Sequence, residues 1–251
     1  MFFFLSFLVT VLGYSANELT AMQFVENLYA PGPATIMNDI RTGSRVSGIW
    51  DILATNVKMR QGFGVNDFYG AEEVAFGYVA HELSGFNIID QIIFKSVTSN
   101  SKDVALFYET VQLHPAGDNY TSTGSMALQF KPNGKIETIF SATWNIEWNL
   151  GTFGASHART VGAACYYGTT FCNATTDPLG HYTSMADCMA FMATIPLGNW
   201  GYLPSNTITC RTWNGAFAVQ FPEKYCAAIG KTGGDYCFNR PASTFYPNLF
   251  L

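Results

Sequence analysis

All six cysteines of this 251-residue chain lie between Cys165 and Cys237, and the first 164 residues contain none. That asymmetry divides the chain into a region that must be stabilised by its own apolar core and a region that can be stapled by disulfides. The cysteines stand at 165, 172, 188, 210, 226 and 237, with no Cys-x-x-Cys pair to suggest a zinc ribbon or a thioredoxin-type motif. An even number of cysteines in a secreted chain reads as three disulfides, but six cysteines allow 15 connectivities and spacing alone does not choose among them.

The start of the chain supports that compartment. Phe2 to Leu12 is apolar except for Ser6 and Thr10, which suits the core of a signal peptide. It is shorter than the ~20 residues a spanning helix needs. Small residues at Gly13 and Ser15 place cleavage after Ser15 or Ala16, so residues 1–16 are expected to be removed and the protein to be secreted, with no membrane attachment afterwards. Asn119-Tyr120-Thr121 and Asn173-Ala174-Thr175 are N-glycosylation sequons on the same route.

Composition narrows the function classes. Only 12% of residues are charged and 16% are aromatic, so the chain can bury a large core and favours apolar ligands. Its 13 basic residues are scattered, and residues 1–158 carry 8 basic against 14 acidic side chains. Nothing marks a phosphate-binding track, and nucleic acid is not expected as a partner. No Gly-x-Ser-x-Gly elbow, Walker loop or His-Glu-x-x-His motif is present. Gly62-Phe63-Gly64 opens like a dinucleotide loop but lacks the third glycine. The histidines at 81, 114, 157 and 181 are too dispersed for a histidine-based metal site, so neither metal nor cofactor is expected.

Helical and strand patterns follow in turn. Ser15-Ala16-Asn17-Glu18 has capping-box spacing, with Leu19, Met22, Val25 and Tyr29 as the apolar stripe of a first helix. A second pattern covers Thr35–Leu53, broken near Gly43, and Asn56–Phe63 alternates as a half-buried strand. Gly62–Tyr69 reads as a turn and Ala71–Leu83 as a third helix. Ile88–Val97, Val104–His114, Tyr120–Phe130 and Lys135–Trp148 are strand-like, the last pair joined at Pro132-Asn133-Gly134. This is an α+β domain over residues 17–150.

Leu53-Ala54-x-x-Val57, then Gly70-Ala71-Glu72-Glu73-Val74 opening the third helix, resembles the pattern of the nuclear-transport-factor-2-like superfamily, which includes the SnoaL-like cyclases. The resemblance spans about Leu19 to Trp148. It implies a cone in which three N-terminal helices and a curved antiparallel sheet enclose a pocket, and pairing of two copies through the open sheet face. It also implies an activity range from cofactor-independent lyases and isomerases to non-catalytic binding modules, so whether this chain is an enzyme stays open.

The candidate pocket residues come from strand and helix periodicity. Asp90 alternates with Ile88, Ile92 and Phe94, an apolar setting that raises a carboxyl pKa and suits a general base. His81, a turn beyond Tyr78, is the candidate partner for proton transfer. Trp50, Tyr78, Phe94 and Glu109 are the candidate ligand contacts, and Glu109 and Asp51 rank below Asp90 and His81 as pocket groups. The expected function is binding of a small hydrophobic molecule, with isomerisation, dehydration or cyclisation as the chemistry. The alternative is an extracellular recognition module without catalysis.

Beyond a linker at 151–163, residues 164–251 read as a partly helical disulfide module. Ser184-Met185-Ala186-Asp187 starts one helix, and Met185, Met189 and Met192 with Phe191 are expected to fill a core. Asn206–Gln220 is a second helix, stopped before Pro222. Cys188 and Cys210, each in the first turns of a helix, are the preferred bridge. The aromatic tail from Tyr236 to Leu251 is expected to lie as an extended strap.

Overall fold

The computed structural model describes residues 13–29, 32–61, 67–83, 88–100, 102–113, 119–144, 157–198 and 205–239. Most of the strap expected after Tyr236 lies outside these residues. The chain divides into two compact units, residues 1–60 with 67–144, and residues 61–66 with 145–251.

In the N-terminal unit the helices are α1 (Ala16–Tyr29), α2 (Gly32–Thr42), α3 (Ile49–Ile52) and α4 (Ala71–Leu83). The strands are β1 (Leu53–Gln61), β2 (Asp67–Tyr69), β3 (Ile88–Ser99), β4 (Asp103–Leu113), β5 (Asn119–Phe130) and β6 (Ile136–Trp144). The six strands form one sheet in the order β2-β1-β6-β5-β4-β3. Pairing is antiparallel from β3 through β6 and between β1 and β2. This is the α+β, cone-type arrangement of helices on a sheet that the sequence pattern points to, with β2 added where a turn was expected.

Local chemistry explains several boundaries. The capping box forms, with Ser15 N donating to Glu18 Oε2 at 2.6 Å and Glu18 N donating to Ser15 Oγ at 3.3 Å. Ser99 Oγ donates to Glu18 Oε1 at 2.9 Å and ties the start of α1 to the end of β3. The stripe of α1 that packs inward is Ala21, Phe24, Val25 and Leu28, all buried. Leu19 and Met22 are only half-buried, so among the described side chains of the expected stripe Val25 alone is fully buried. The second helical pattern is interrupted from Gly43 onward, as expected, into α2 and the single turn α3, because Gly43, Arg45 and Gly48 all have positive φ in the loop between them. Helix α4 starts where expected, with Glu73 reaching back to accept from Tyr69 N at 2.8 Å. The Asn133-Gly134 hairpin closes with Lys131 N donating to Lys135 O at 2.8 Å.

The C-terminal unit holds α5 (His157–Thr170), α6 (Met185–Met192), α7 (Ile208–Ala218) and α8 (Pro222–Ile229). Helix α5 runs through the second half of the expected linker. Pro222, read as a terminator, occupies the first turn of α8, where its missing N–H costs nothing. All six cysteines are paired: Cys165–Cys188, Cys172–Cys226 and Cys210–Cys237. The expected Cys188–Cys210 bridge does not form, since Cys188 joins α6 to α5 and Cys210 joins α7 to the loop after α8. Ser184 caps α6 by accepting from Asp187 N at 3.1 Å. Of the methionines on α6 only Met192 enters the core, whereas Met185 and Met189 are exposed.

Candidate functional site

Alternation along β4 and β5 sets the two faces of the sheet. Val104, Leu106, Tyr108 and Thr110 are buried on β4, and Gly124, Met126, Leu128 and Phe130 on β5. Helix α1 packs against β3 and β4. The opposite face carries Phe107, 40% exposed, and Phe140, 38% exposed.

This register relocates Glu109. It shares the open face with Phe107, and its carboxylate pairs with Lys95 Nζ at 2.7 Å. The periodicity was sound, but the covered face is the one that bears Tyr108. Lys95 reaches Glu109 from a β-bulge between Phe94 and Ser96. Phe94 belongs to the covered face, with its ring centroid 6.3 Å from that of Tyr108.

Among the described side chains of β4, Tyr108 and Thr110 are the buried ones that carry polar atoms, each 3% exposed. Tyr108 stands directly opposite Gly124 on β5, and its ring lies across the space a side chain there would fill. A Cβ on Gly124 would stand 2.7 Å from the Tyr108 hydroxyl oxygen. Gly124→Ala is therefore expected to displace the ring and cost about 1–3 kcal/mol, an overpacking penalty. Tyr108→Ala in the same chain should recover most of it, a coupling that urea denaturation of the four proteins of the cycle measures.

Asp90 is the unpaired residue of a second bulge, since Ile89 pairs with Gln112 and Gln91 with Val111. Strict alternation with Ile92 and Phe94 does not carry across it, and bulges often re-aim side chains beside functional sites. His81 and Tyr78 lie on α4. The side chains of Asp90, His81 and Tyr78 lie outside the described residues. Asp51 is exposed on α3.

Trp50 is 7% exposed and locks the loop between α2 and α3. Its Nε1 donates to Asp39 Oδ2 at 2.7 Å, and the same carboxylate accepts from Ser47 N at 2.7 Å and Ser44 Oγ at 2.7 Å. Burial alone would raise the Asp39 pKa, but these donors together hold it far below the usual carboxylate range. The Arg45 guanidinium covers the Trp50 ring at 4.6 Å and reaches Glu72 at 3.2 Å.

The C-terminal unit contains a buried polar clasp that cysteine spacing could not announce. Arg211 is fully buried on α7, with Nε donating to Gly230 O at 3.3 Å and Nη1 to Thr207 O at 3.2 Å. Tyr182 donates to Ile229 O at 2.9 Å, and burial pushes its pKa up to about 12. Asp177, 2% exposed, accepts from Gly180 N at 3.0 Å, and burial raises its pKa. The clasp pins the 177–182 loop against the segment after α8 through main-chain oxygens. These hydrogen bonds all stay inside the unit.

Among the described residues, no group of three His, Cys, Asp or Glu side chains converges on a metal-sized site. No described helix is long and apolar enough to cross a membrane.

Similar solved structures each cover about half of the chain. One is a SnoaL-like family protein from Agrobacterium tumefaciens, 11% identical over 51% of this chain and 98% of that one, with a TM-score of 0.38. Another is an NTF2-like protein from Anabaena variabilis, 20% identical over 52% and 91%, TM-score 0.35. A third, from Catenulispora acidiphila, has a ketosteroid isomerase-like fold and was solved in complex with trimethylamine; it is 11% identical over 44% and 84%, TM-score 0.33. The chain is thus similar to NTF2-like and SnoaL-like proteins over about half its length, and its residues 144–240 match the family model described as the BfoA family C-terminal domain.

Proposed function

We propose that this is a secreted protein whose N-terminal unit binds a small hydrophobic molecule on the helix-covered face of its sheet. The observation that carries the reading is the make-up of that face: Phe94, Leu106, Met126 and Leu128 supply apolar surface, with Tyr108 and Thr110 as polar side chains among them. Sites for apolar ligands have this composition, a greasy wall with a few polar groups that orient the ligand. Three disulfides in the C-terminal unit fit an oxidising compartment.

In the catalytic version of this reading, Asp90 takes a proton from carbon next to a carbonyl and His81 delivers one to the neighbouring position. Where that position is carbon the sum is an isomerisation, and where it is a β-hydroxyl, which leaves as water, the sum is a dehydration. Where the enolate carbon closes on a second carbonyl whose oxygen takes the proton, the sum is a cyclisation. Solvent returns the proton from Asp90 to His81, and no cofactor is needed. The bulge at Asp90 favours this version over a purely passive site. Asp90→Asn and His81→Ala separate the two: loss of turnover with ligand affinity kept supports catalysis, and unchanged turnover removes both residues from it.

Binding itself is tested by titrating apolar fluorophores and steroid-sized ketones. Tyr108→Phe should weaken ligands bearing an oxygen by about tenfold, the worth of one buried hydrogen bond, and leave pure hydrocarbons unaffected. Equal affinities for the two proteins would remove Tyr108 from the site. The open sheet face with Phe107 and Phe140 is the surface through which two copies would pair, and light scattering showing a monomer mass would end that part of the proposal.

A further inference from the structure

The two sequons lie in different backbone settings. Asn119 opens β5 and pairs with Leu113, and Thr121 pairs with Val111, so that sequon belongs to the β4–β5 ladder. Asn173 lies in the exposed turn after α5. Its Oδ1 accepts from Thr175 N at 2.8 Å and Thr176 N at 3.2 Å, and its own N donates to Thr176 Oγ at 3.0 Å. Every one of these bonds spans three residues or fewer, and the neighbouring Cys172–Cys226 disulfide anchors the turn to α8. The side-chain oxygen is thereby engaged. The amide nitrogen and the Thr175 hydroxyl make no hydrogen bond among the described residues, and both residues are exposed.

An aromatic surface lies beside this turn. Phe171, two residues before Asn173, meets Tyr166 edge-on with ring centroids 6.0 Å apart, and Tyr167 stands 6.3 Å from Phe171. Tyr166 is 52% exposed. Tyr166 is the exposed ring, with Tyr167 and Phe171 half-buried beside it, and the axial C–H groups of a sugar form an apolar face that packs on such a ring.

We propose that Asn173 carries an N-linked glycan whose first sugar packs on the Phe171–Tyr166 surface. In the transfer step the Asn173 amide nitrogen attacks the anomeric carbon of a lipid-linked oligosaccharide pyrophosphate. The new C–N bond replaces the anomeric C–O bond. The lipid pyrophosphate leaves with the electron pair, and the nitrogen gives up one of its two protons to the transferase. No oxidation or reduction is involved. The site rests on the secretory reading of the chain and adds to it which sequon is used and what the glycan does.

The test is secretion from a yeast host, once with the chain's own leader and once with a host leader. Intact mass is read before and after treatment with peptide N-glycosidase. With the host leader, one glycan should be present in the wild type and in Asn119→Gln, and absent in Asn173→Gln and Thr175→Ala. A glycan that persists in Asn173→Gln, or an unglycosylated wild type, overturns the site. Glycan with the host leader but no secretion with the native one supports the site and overturns the leader instead. For the packing, removing the glycan should lower the Tm of the C-terminal unit by about 3–6 °C. That difference should vanish in Phe171→Ala and shrink in Tyr166→Ala. An unchanged Tm on deglycosylation of the wild type overturns the packing.

Discussion

Replacing Cys172 and Cys226 together by serine will lower the stability of the C-terminal unit by about 4 kcal/mol, the chain-entropy value for a closed loop of this length. The bridge spans a sequence separation of 54, against 23 for Cys165–Cys188 and 27 for Cys210–Cys237. Its removal should therefore exceed that of Cys165–Cys188 by about 0.8 kcal/mol. The unit is small, and small domains bury a limited fraction of their surface on folding. Calorimetry of the whole chain should show the transition of this unit falling by about 15 °C or more while the N-terminal unit keeps its own. A shift below about 5 °C would mean that the helices α5, α7 and α8 hold the unit without the staple.

The second large effect belongs to Asp39. Its carboxylate accepts from Ser44 Oγ, Ser47 N and Trp50 Nε1, and Asp39→Ala leaves the last two buried without an acceptor. Bonds to a buried charge are worth about 1.5–3 kcal/mol each and do not add fully, so the variant should lose about 3–5 kcal/mol. The pH dependence has a definite sign. A carboxyl whose folded pKa is depressed stabilises the fold above the unfolded value near 4, and that stabilisation is lost as pH falls toward the folded value. Urea denaturation of the wild type between pH 7 and pH 2 should show stability falling below about pH 4, and Asp39→Ala should flatten that part of the curve. Parallel curves for the two proteins would show that other carboxylates govern the acid limb.

Much of the architecture was legible because local rules and tertiary packing agree. Helix α4 has Gly70 before it and Glu73 in its first turn, and Val57 and Met59 on β1 are buried while Lys58 and Arg60 are exposed. The readings that failed did so where one residue pattern serves two structures. Alternation cannot see a bulge, so the bulges at Asp90 and Lys95 were not legible, and alternation placed Glu109 with Phe107 without showing that the covered face is the one that bears Tyr108. Proline both stops and starts helices, which hid α8. Small residues from His157 to Gly162 read as a linker but propagate α5 once Val161, Ala164 and Cys165 are buried. Disulfide pairing depends on which helices touch, and the packing of α5 and α7, which buries Cys165 and Cys210 in separate bridges, is a long-range property. Of the candidate ligand contacts, Phe94 lies on the covered face and Glu109 on the open one, whereas Tyr108, opposite Gly124, carries no motif. Only the cross-strand register brings those two together.

The most direct measurement is the mass of the secreted protein under native and denaturing conditions, after exposure to a lipid-soluble extract of its source. The account predicts a native mass higher by one small molecule, released on denaturation and lost when Gly124→Ala displaces the Tyr108 ring in a chain that still folds. Equal native and denatured masses after such exposure would contradict ligand binding by the N-terminal unit and leave recognition of other macromolecules as the function.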